Sequence, residues 1–165
     1  MSATPRLRLP LLAAGQAQKE LFHNEALQLL DALVAASVEE PPRAEPPAAP
    51  AIGSCYLLAG SPTGAWSGHA HALAIYSAAG WRFIAPVEGM TVSIRDSGLS
   101  ATYRGGSWDV GMVSATGLWV GGKQVVGPQA AAITGPVGGS SIDAQCREAV
   151  ERILAALRQH GLVET

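Results

Sequence analysis

The stretch Ala72-Leu73-Ala74-Ile75-Tyr76, the turn signal Ala79-Gly80 and the stretch Trp81-Arg82-Phe83-Ile84 decide how this chain reads. Both runs are short and carry aromatic and β-branched residues, which suit a pleated, half-buried surface. Upstream, Ser54-Cys55-Tyr56-Leu57-Leu58 has the same texture, as does Thr91-Val92-Ser93-Ile94-Arg95 downstream. Turn signals punctuate these runs: Pro62-Thr63-Gly64, Glu88-Gly89, Ser97-Gly98, Gly105-Gly106 and Gly121-Gly122. A spacing of roughly ten residues per strand predicts a β-rich domain, a meander or a small barrel or sandwich. It covers residues 52–127 and holds all four tryptophans.

The flanks read differently. Pro5 and Pro10 forbid a continuous helix near the start, so residues 1–15 are expected as an extended arm closed by Gly15. From Gln16 to about Ser37 the pattern is helical. Leu27, Leu30 and Val34 recur at three- and four-residue steps, and Phe22, Ala26, Leu29 and Leu33 widen the stripe. Glu20, Glu25, Gln28 and Asp31 lie off it, which makes an amphipathic helix. Arm and helix together form residues 1–38. Residues 39–51 follow as a linker in which half of positions 41–50 are proline, a stiff polyproline-like spacer. Such a spacer leaves the first helix free to pack against a neighbouring subunit.

Residues 128–139 form a Gly/Pro connector without helical period, and residues 140–165 hold a second helix. Ser140, Ser141 or Asp143 can cap it, and Gly161 with Leu162 closes it. Cys146, Val150, Ile153 and Leu157 follow a coiled-coil seam. Two heptads are too short to hold an oligomer alone, so association must also use the first helix or the β domain. The expected class is α+β: a β-rich centre flanked by two helices.

Composition narrows the functional classes. Of the 165 residues 48% are hydrophobic and 15% are charged, against roughly 25% charged in an average soluble domain. Low charge and 19 glycines suit a protein that buries surface against its own copies. A net charge of −2 makes no electrostatic case for nucleic acid or an anionic membrane. No stretch approaches the ~20 apolar residues of a membrane span. The run Leu11-Leu12-Ala13-Ala14 is too short for a signal peptide, so synthesis in the cytoplasm is expected. Cys55 and Cys146 fall in different elements and read as buried free thiols.

Catalytic and metal constellations fare poorly. His69-Ala70-His71 puts two imidazoles on one face if that segment is a strand, but no nearby acid or thiol completes a metal set. His23 and Glu25, two apart on a helix, do not face each other. Gly60-Ser61-Pro62-Thr63-Gly64 lacks the Lys-Ser/Thr ending of a phosphate loop and reads as a turn. Glu88, Asp96 and Asp109 are the carboxylates that a polysaccharide-cleaving site would have to bring together. Neither a catalytic residue nor a metal or cofactor is assigned. The aromatics carry more. Trp66, Trp81, Trp108 and Trp119, with Tyr56, Tyr76 and Tyr103, recur near glycines at turns, and exposed rings of this type stack on sugar faces; Trp66, Trp81, Tyr103 and Trp108 are the candidates. The competing expectation is that they fill the core of a domain that has two phenylalanines.

Three segments are similar to a known family. Gly15-Gln16-Ala17-Gln18-Lys19-Glu20, His23-Asn24-Glu25-Ala26-Leu27 and Leu30-Asp31-Ala32-Leu33 resemble the opening of a domain of unknown function found in alphaproteobacterial prophages and gene transfer agents. The middle resembles it through Gly53-Ser54-Cys55-Tyr56, Thr63-Gly64-Ala65-Trp66-Ser67-Gly68, Gly80-Trp81-Arg82-Phe83, Pro86-Val87-Glu88-Gly89 and Tyr103-Arg104-Gly105-Gly106-Ser107-Trp108. The end, from Gly127-Pro128-Gln129 through Gly138-Gly139-Ser140-Ser141 to Gly161-Leu162, resembles a tail seen on such proteins. Cys55 departs from the pattern, where Arg is expected.

The resemblance implies a structural component of a phage-like particle: a tail fibre, head spike or adsorption protein assembled into the virion. Related members are associated with recognition of capsule polysaccharide, which makes surface polysaccharide on a host and other particle proteins the expected partners. Fibres and spikes of this type imply a homotrimer, and Val150 with Ile153 suits three helices. The interface is expected on Leu27, Leu30, Val34, Val150, Ile153 and Leu157, with Gln16, Lys19, Glu20, His23 and Asn24 as a further docking face. A purely architectural connector is the alternative, and a polysaccharide-degrading enzyme a more remote one.

Overall fold

The structure, a computed structural model, describes residues 3–12, 15 and 19–165, without the side chains of Lys19 and Leu21. It is a mixed α+β chain that divides into two units, Met1–Met112 and Val113–Thr165.

In the first unit, helix α1 (Lys19–Leu33) leads within a few residues into strand β1 (Ser37–Val38). Strands β2 (Cys55–Leu57), β3 (Leu73–Ser77) and β4 (Gly80–Ile84) form an antiparallel sheet in that order. Strands β5 (Thr91–Ile94), β6 (Ser100–Arg104) and β7 (Ser107–Val110) form a second sheet with β1, which runs parallel to β5 and pairs Ser37 with Ser93. Gly105 and Gly106, both at positive φ, make the two-residue turn between β6 and β7. Two consecutive left-handed residues match the twist of the flanking strands.

Side chains alternate across a strand, and here both faces of the three-stranded sheet are covered. Cys55, Leu57, Leu73 and Ile75 face a core shared with Val38, Val92, Ile94, Ala101 and Trp108 of the second sheet and Ala32 of α1. Tyr56, Leu58, Ala72 and Ala74 face a second cluster closed by Trp66 from a short 3-10 turn, Gly64–Trp66. β2 and β3 are therefore buried on both sides, which explains their near-continuous apolar runs.

Several expectations are corrected. The start of the chain is no extended arm: residues 5–7 form a turn, and the Thr4 N–H donates to the Leu9 carbonyl at 2.9 Å. Pro5 supplies the fixed φ that such a turn uses. Residues 1, 2, 13 and 14 of that segment lie outside the described residues. Residues 39–51 are not a free spacer. The N–H groups of Glu39 and Arg43 donate to the carbonyls of Cys55 and Leu57, so the segment lies along β2 as an irregular neighbour. Proline lacks a donor, but Glu39, Arg43 and Ala44 supply enough backbone partners to dock the chain.

The second unit holds hairpin β8 (Leu118–Val120) and β9 (Lys123–Val126), turned by Gly121 and Gly122, and helix α2 (Ala144–Gln159). Asp143 caps α2, its carboxylate accepting the Cys146 N–H at 2.9 Å. At the other end the N–H groups of Gly161 and Leu162 donate to the carbonyls of Arg158 and Leu157, the hydrogen-bond pair of a left-handed glycine stop. Residues 128–139 are more than a connector. Arg158 donates to the Ile133 carbonyl at 2.7 Å, Arg147 to the carbonyls of Pro136 and Gly138, and Ala130 bridges Val163. That strap covers one side of α2. Leu154 and Val163 are the buried residues of this unit.

Candidate functional site

The alternation that builds the three-stranded sheet also gathers its aromatic rings. Tyr76 pairs with Trp81 and Ala74 with Phe83 across β3 and β4, so Tyr76, Trp81 and Phe83 share the face that carries Tyr56. Trp66 reaches over from its 3-10 turn. Its ring lies 5.1 Å from Trp81 at 81° and 5.8 Å from Tyr56. Tyr76 lies 4.9 Å from Trp81, and Tyr56 5.9 Å from it at 72°. These are the tilted and edge-to-face arrangements that ring quadrupoles favour. At the rim, His69 lies parallel to Phe83 with centroids 3.7 Å apart. Tyr76, Trp81 and Phe83 are half-buried and His69 is exposed, so this face has a dry centre and a wet edge.

The sequence-predicted aromatics do not form one surface. Trp66 is 0% exposed and has no ring face to offer a sugar. Trp108 is 9% exposed and belongs to the core between the sheets, where its Nε1–H donates to the His71 carbonyl at 2.8 Å. Tyr103 lies beside it at 5.3 Å. Both corrections have one reason: a domain with few large apolar side chains spends its tryptophans on packing. Of the four, Trp81 alone belongs to the half-wet face just described, and Tyr103, also half-buried, lies elsewhere. Phe83 and His69 are residues of this face that sequence reasoning missed, while Tyr76 is among the aromatics it weighs but not among its four candidates. The two-residue period from Tyr76 back to Ala74, set against Trp81 and Phe83, is the signal that places them on one face.

Other candidates disperse. His69 and His71 are in a turn rather than a strand, and His71 lies 6.1 Å from Tyr103. Among the described residues no group of three His, Cys, Asp or Glu side chains is placed to hold a metal ion. Glu88 accepts the Gly105 N–H, Asp109 sits opposite Thr102, and Asp96 is in the loop after β5. A groove of about 600 Å³ runs beside Arg6, Ser37, Glu39 and Arg95, but its cations are engaged. Arg95 pairs with Glu39 at 3.1 Å, and Arg6 donates to the carbonyls of Asp31, Ala32 and Ala35. Burial pushes the Cys55 thiol up to about 11, which keeps it protonated and unreactive at neutral pH.

The helix residues expected at an interface are split. Leu27 of α1 is half-buried, whereas Leu30 is 48% and Val34, just past the helix end, 52% exposed. On α2, Val150 and Leu157 are half-buried and Ile153 is 59% exposed, so the three do not make one continuous open seam. Of the further docking face, Gln16 and the Lys19 side chain lie outside the described residues. Asn24 is engaged inside the unit, bonding Leu12 through its carbonyl oxygen at 2.9 Å and its amide at 3.1 Å.

No helix among the described residues is long and apolar enough to cross a membrane. A search of curated proteins found no match. Residues 23–109, which span both sheets and the aromatic face, match the model of the family described as Protein of unknown function (DUF2793), and the chain belongs to that family.

Proposed function

We propose that this protein is a non-enzymatic structural module of a phage-like particle that self-assembles, as a trimer, through apolar surface left open on each copy. One observation carries the reading. Helix α1 spends polar side chains inside its own unit and turns apolar ones outward. Asp31 is fully buried and Asn24 holds Leu12, whereas Phe22 is 77%, Leu30 48% and Leu33 37% exposed. Ordering such a face against water gains nothing for a solitary molecule; covering it with another copy gains roughly 25 cal/mol per Å² of apolar surface. The likeness of the opening, middle and final segments to prophage and gene-transfer-agent proteins supports the particle. Light scattering on the purified chain is the test: three-chain mass is expected, and a one-chain mass at micromolar concentration overturns the reading.

A second reading, contact with surface polysaccharide, is favoured by the half-wet rings of Tyr76, Trp81 and Phe83 on one sheet face. Retardation in gels containing host polysaccharide, lost in Trp81→Ala, is the expected result. Equal mobility with and without polysaccharide counts against it.

A further inference from the structure

We propose that the Phe22 ring of one copy seats in a hollow beneath the N-terminal turn of the next copy, so that a directional contact builds the assembly. The inference rests on the self-assembly reading and gives it a specific joint. Phe22 is the most exposed large apolar side chain described on α1. The hollow belongs to the same unit, measures about 160 Å³, and is walled by Pro5, Leu11, Ile52, Ile75 and Ala78. An apolar cavity of roughly 150 Å³ holds one benzene ring, so the space suits a phenyl group. The lining decides what enters. The Thr4 hydroxyl donates to Asp31 and accepts the Leu9 N–H at 3.0 Å. The Ser77 hydroxyl donates to the Gly80 carbonyl at 2.7 Å and accepts the Ala79 N–H at 3.2 Å. Both are committed inside the unit, and no charged side chain lines the hollow among the described residues. A sugar or a cation would shed water there without gaining partners, whereas an apolar ring sheds none that it needs.

Charge and spacing select whose ring it is. Phe22 stands in a groove with Glu20, Glu25 and Arg82, two carboxylates to one guanidinium, and the Glu25–Arg82 contact is long at 3.9 Å. Pro5 of the hollow wall opens the turn at residues 5–7, and Arg8 follows it, exposed at φ +59° and without an ion pair among the described residues. An acidic surround at the ring thus meets a basic one at the hollow, and a second copy supplies both. Gln28, also in the hollow wall, lies six residues beyond Phe22 on α1, about 9 Å along the helix. That exceeds the reach of a phenylalanine side chain, so the ring that fills the hollow comes from another molecule. Ring and hollow are different patches, which makes the contact heterologous: each copy gives a ring to one neighbour and receives one from the other. Such a contact closes at three when the rotation is 120°. An aromatic anchor in a desolvated pocket, ringed by weaker apolar contacts such as Leu30 and Leu33, is the arrangement that concentrates interface energy.

The test uses the full chain. Phe22→Asp removes the ring, and Ala78→Trp fills the hollow from within its own copy. Light scattering is expected to show both at one-chain mass, with near-ultraviolet spectra that report a folded first unit. Assembly that survives Phe22→Asp, or that survives Ala78→Trp while Phe22→Asp dissociates it, overturns the joint and leaves self-assembly standing; the second result would mean that the rings pack on one another. A one-chain mass for the wild type overturns both readings, and a two-chain mass overturns the threefold closure. Fluorine NMR of the wild type, carrying 4-fluorophenylalanine at its two phenylalanines, needs no dissociating variant. A Phe22 signal, identified by its loss in Phe22→Leu, that stays fixed between light and heavy water supports the seated ring. A Phe22 signal that shifts as an exposed ring does overturns it.

Discussion

The Asp31 carboxylate, fully buried on α1, accepts the Thr4 hydroxyl at 2.7 Å across 27 residues of chain. The same carboxylate takes the N–H groups of Arg6 at 2.9 Å and Leu7 at 2.5 Å. Arg6 returns the contact by donating to the Asp31 and Ala32 carbonyls in the last turn of the helix and to the Ala35 carbonyl just beyond it. A helix terminus and the N-terminal turn thus satisfy each other.

Asp31→Ala leaves a hydroxyl and two N–H groups without their acceptor. The expected cost is about 3 kcal/mol in urea unfolding, with the N-terminal turn becoming a site of proteolytic cleavage. Thr4→Val removes a single bond and is expected to cost about 1 kcal/mol. Equal stability for Asp31→Ala and wild type would sink the clamp.

Trp66 and Trp108 are core residues. Either one replaced by Ala is expected to lose about 3–5 kcal/mol, because both transfer energy and packing are forfeited. Trp81→Ala, at a half-wet position, is expected to lose less and to keep the fold. Urea midpoints of the three variants, compared side by side, check the order.

Cys55 is buried as expected, but Cys146 is exposed, because it lies on a side of α2 that nothing covers among the described residues. At pH 8 a thiol reagent is expected to modify one thiol per native chain, at the exposed Cys146, and two in denaturant. The folded Cys55 thiol titrates at about 11 against an ordinary value of 9.0. Because the folded pKa is the higher one, its stabilising contribution is complete below pH 9 and fades as pH rises from 9 toward 11. A midpoint that is flat across this window in Cys55→Ala but falls in the parent confirms the assignment. Two thiols reacting at once in the native chain would contradict it.

Gly106, at φ +86°, closes the turn between β6 and β7. A β-branched side chain there is strained in the left-handed region, so Gly106→Val is expected to cost about 1–2 kcal/mol although a side chain at that point meets no neighbour within 4 Å. Thermal melts of the two proteins measure it. An unchanged midpoint would show that the turn is free to rearrange.

Local chemistry determined a good deal of this protein. Short aromatic and β-branched runs with paired glycines between them place strands and turns, because those preferences act within a few residues. Asp143 and Gly161 bound α2 for the same reason: a cap is satisfied by the adjacent backbone. Tertiary structure decided what each side faces. Gln28 and Asp31 read as the wet side of α1, yet Asp31 is fully buried, because a remote turn around Thr4 to Leu7 brings donors that offset its desolvation. Trp66 and Trp108 lie beside glycine-rich turns and look exposed, yet Trp66 is buried against Tyr56 and Trp81, and Trp108 in the core between the sheets, where it reaches the His71 carbonyl. Burial of a polar or aromatic group depends on partners that sequence spacing does not position, and the candidate ring face of Tyr76, Trp81, Phe83 and His69 emerges only once β3 and β4 are in register.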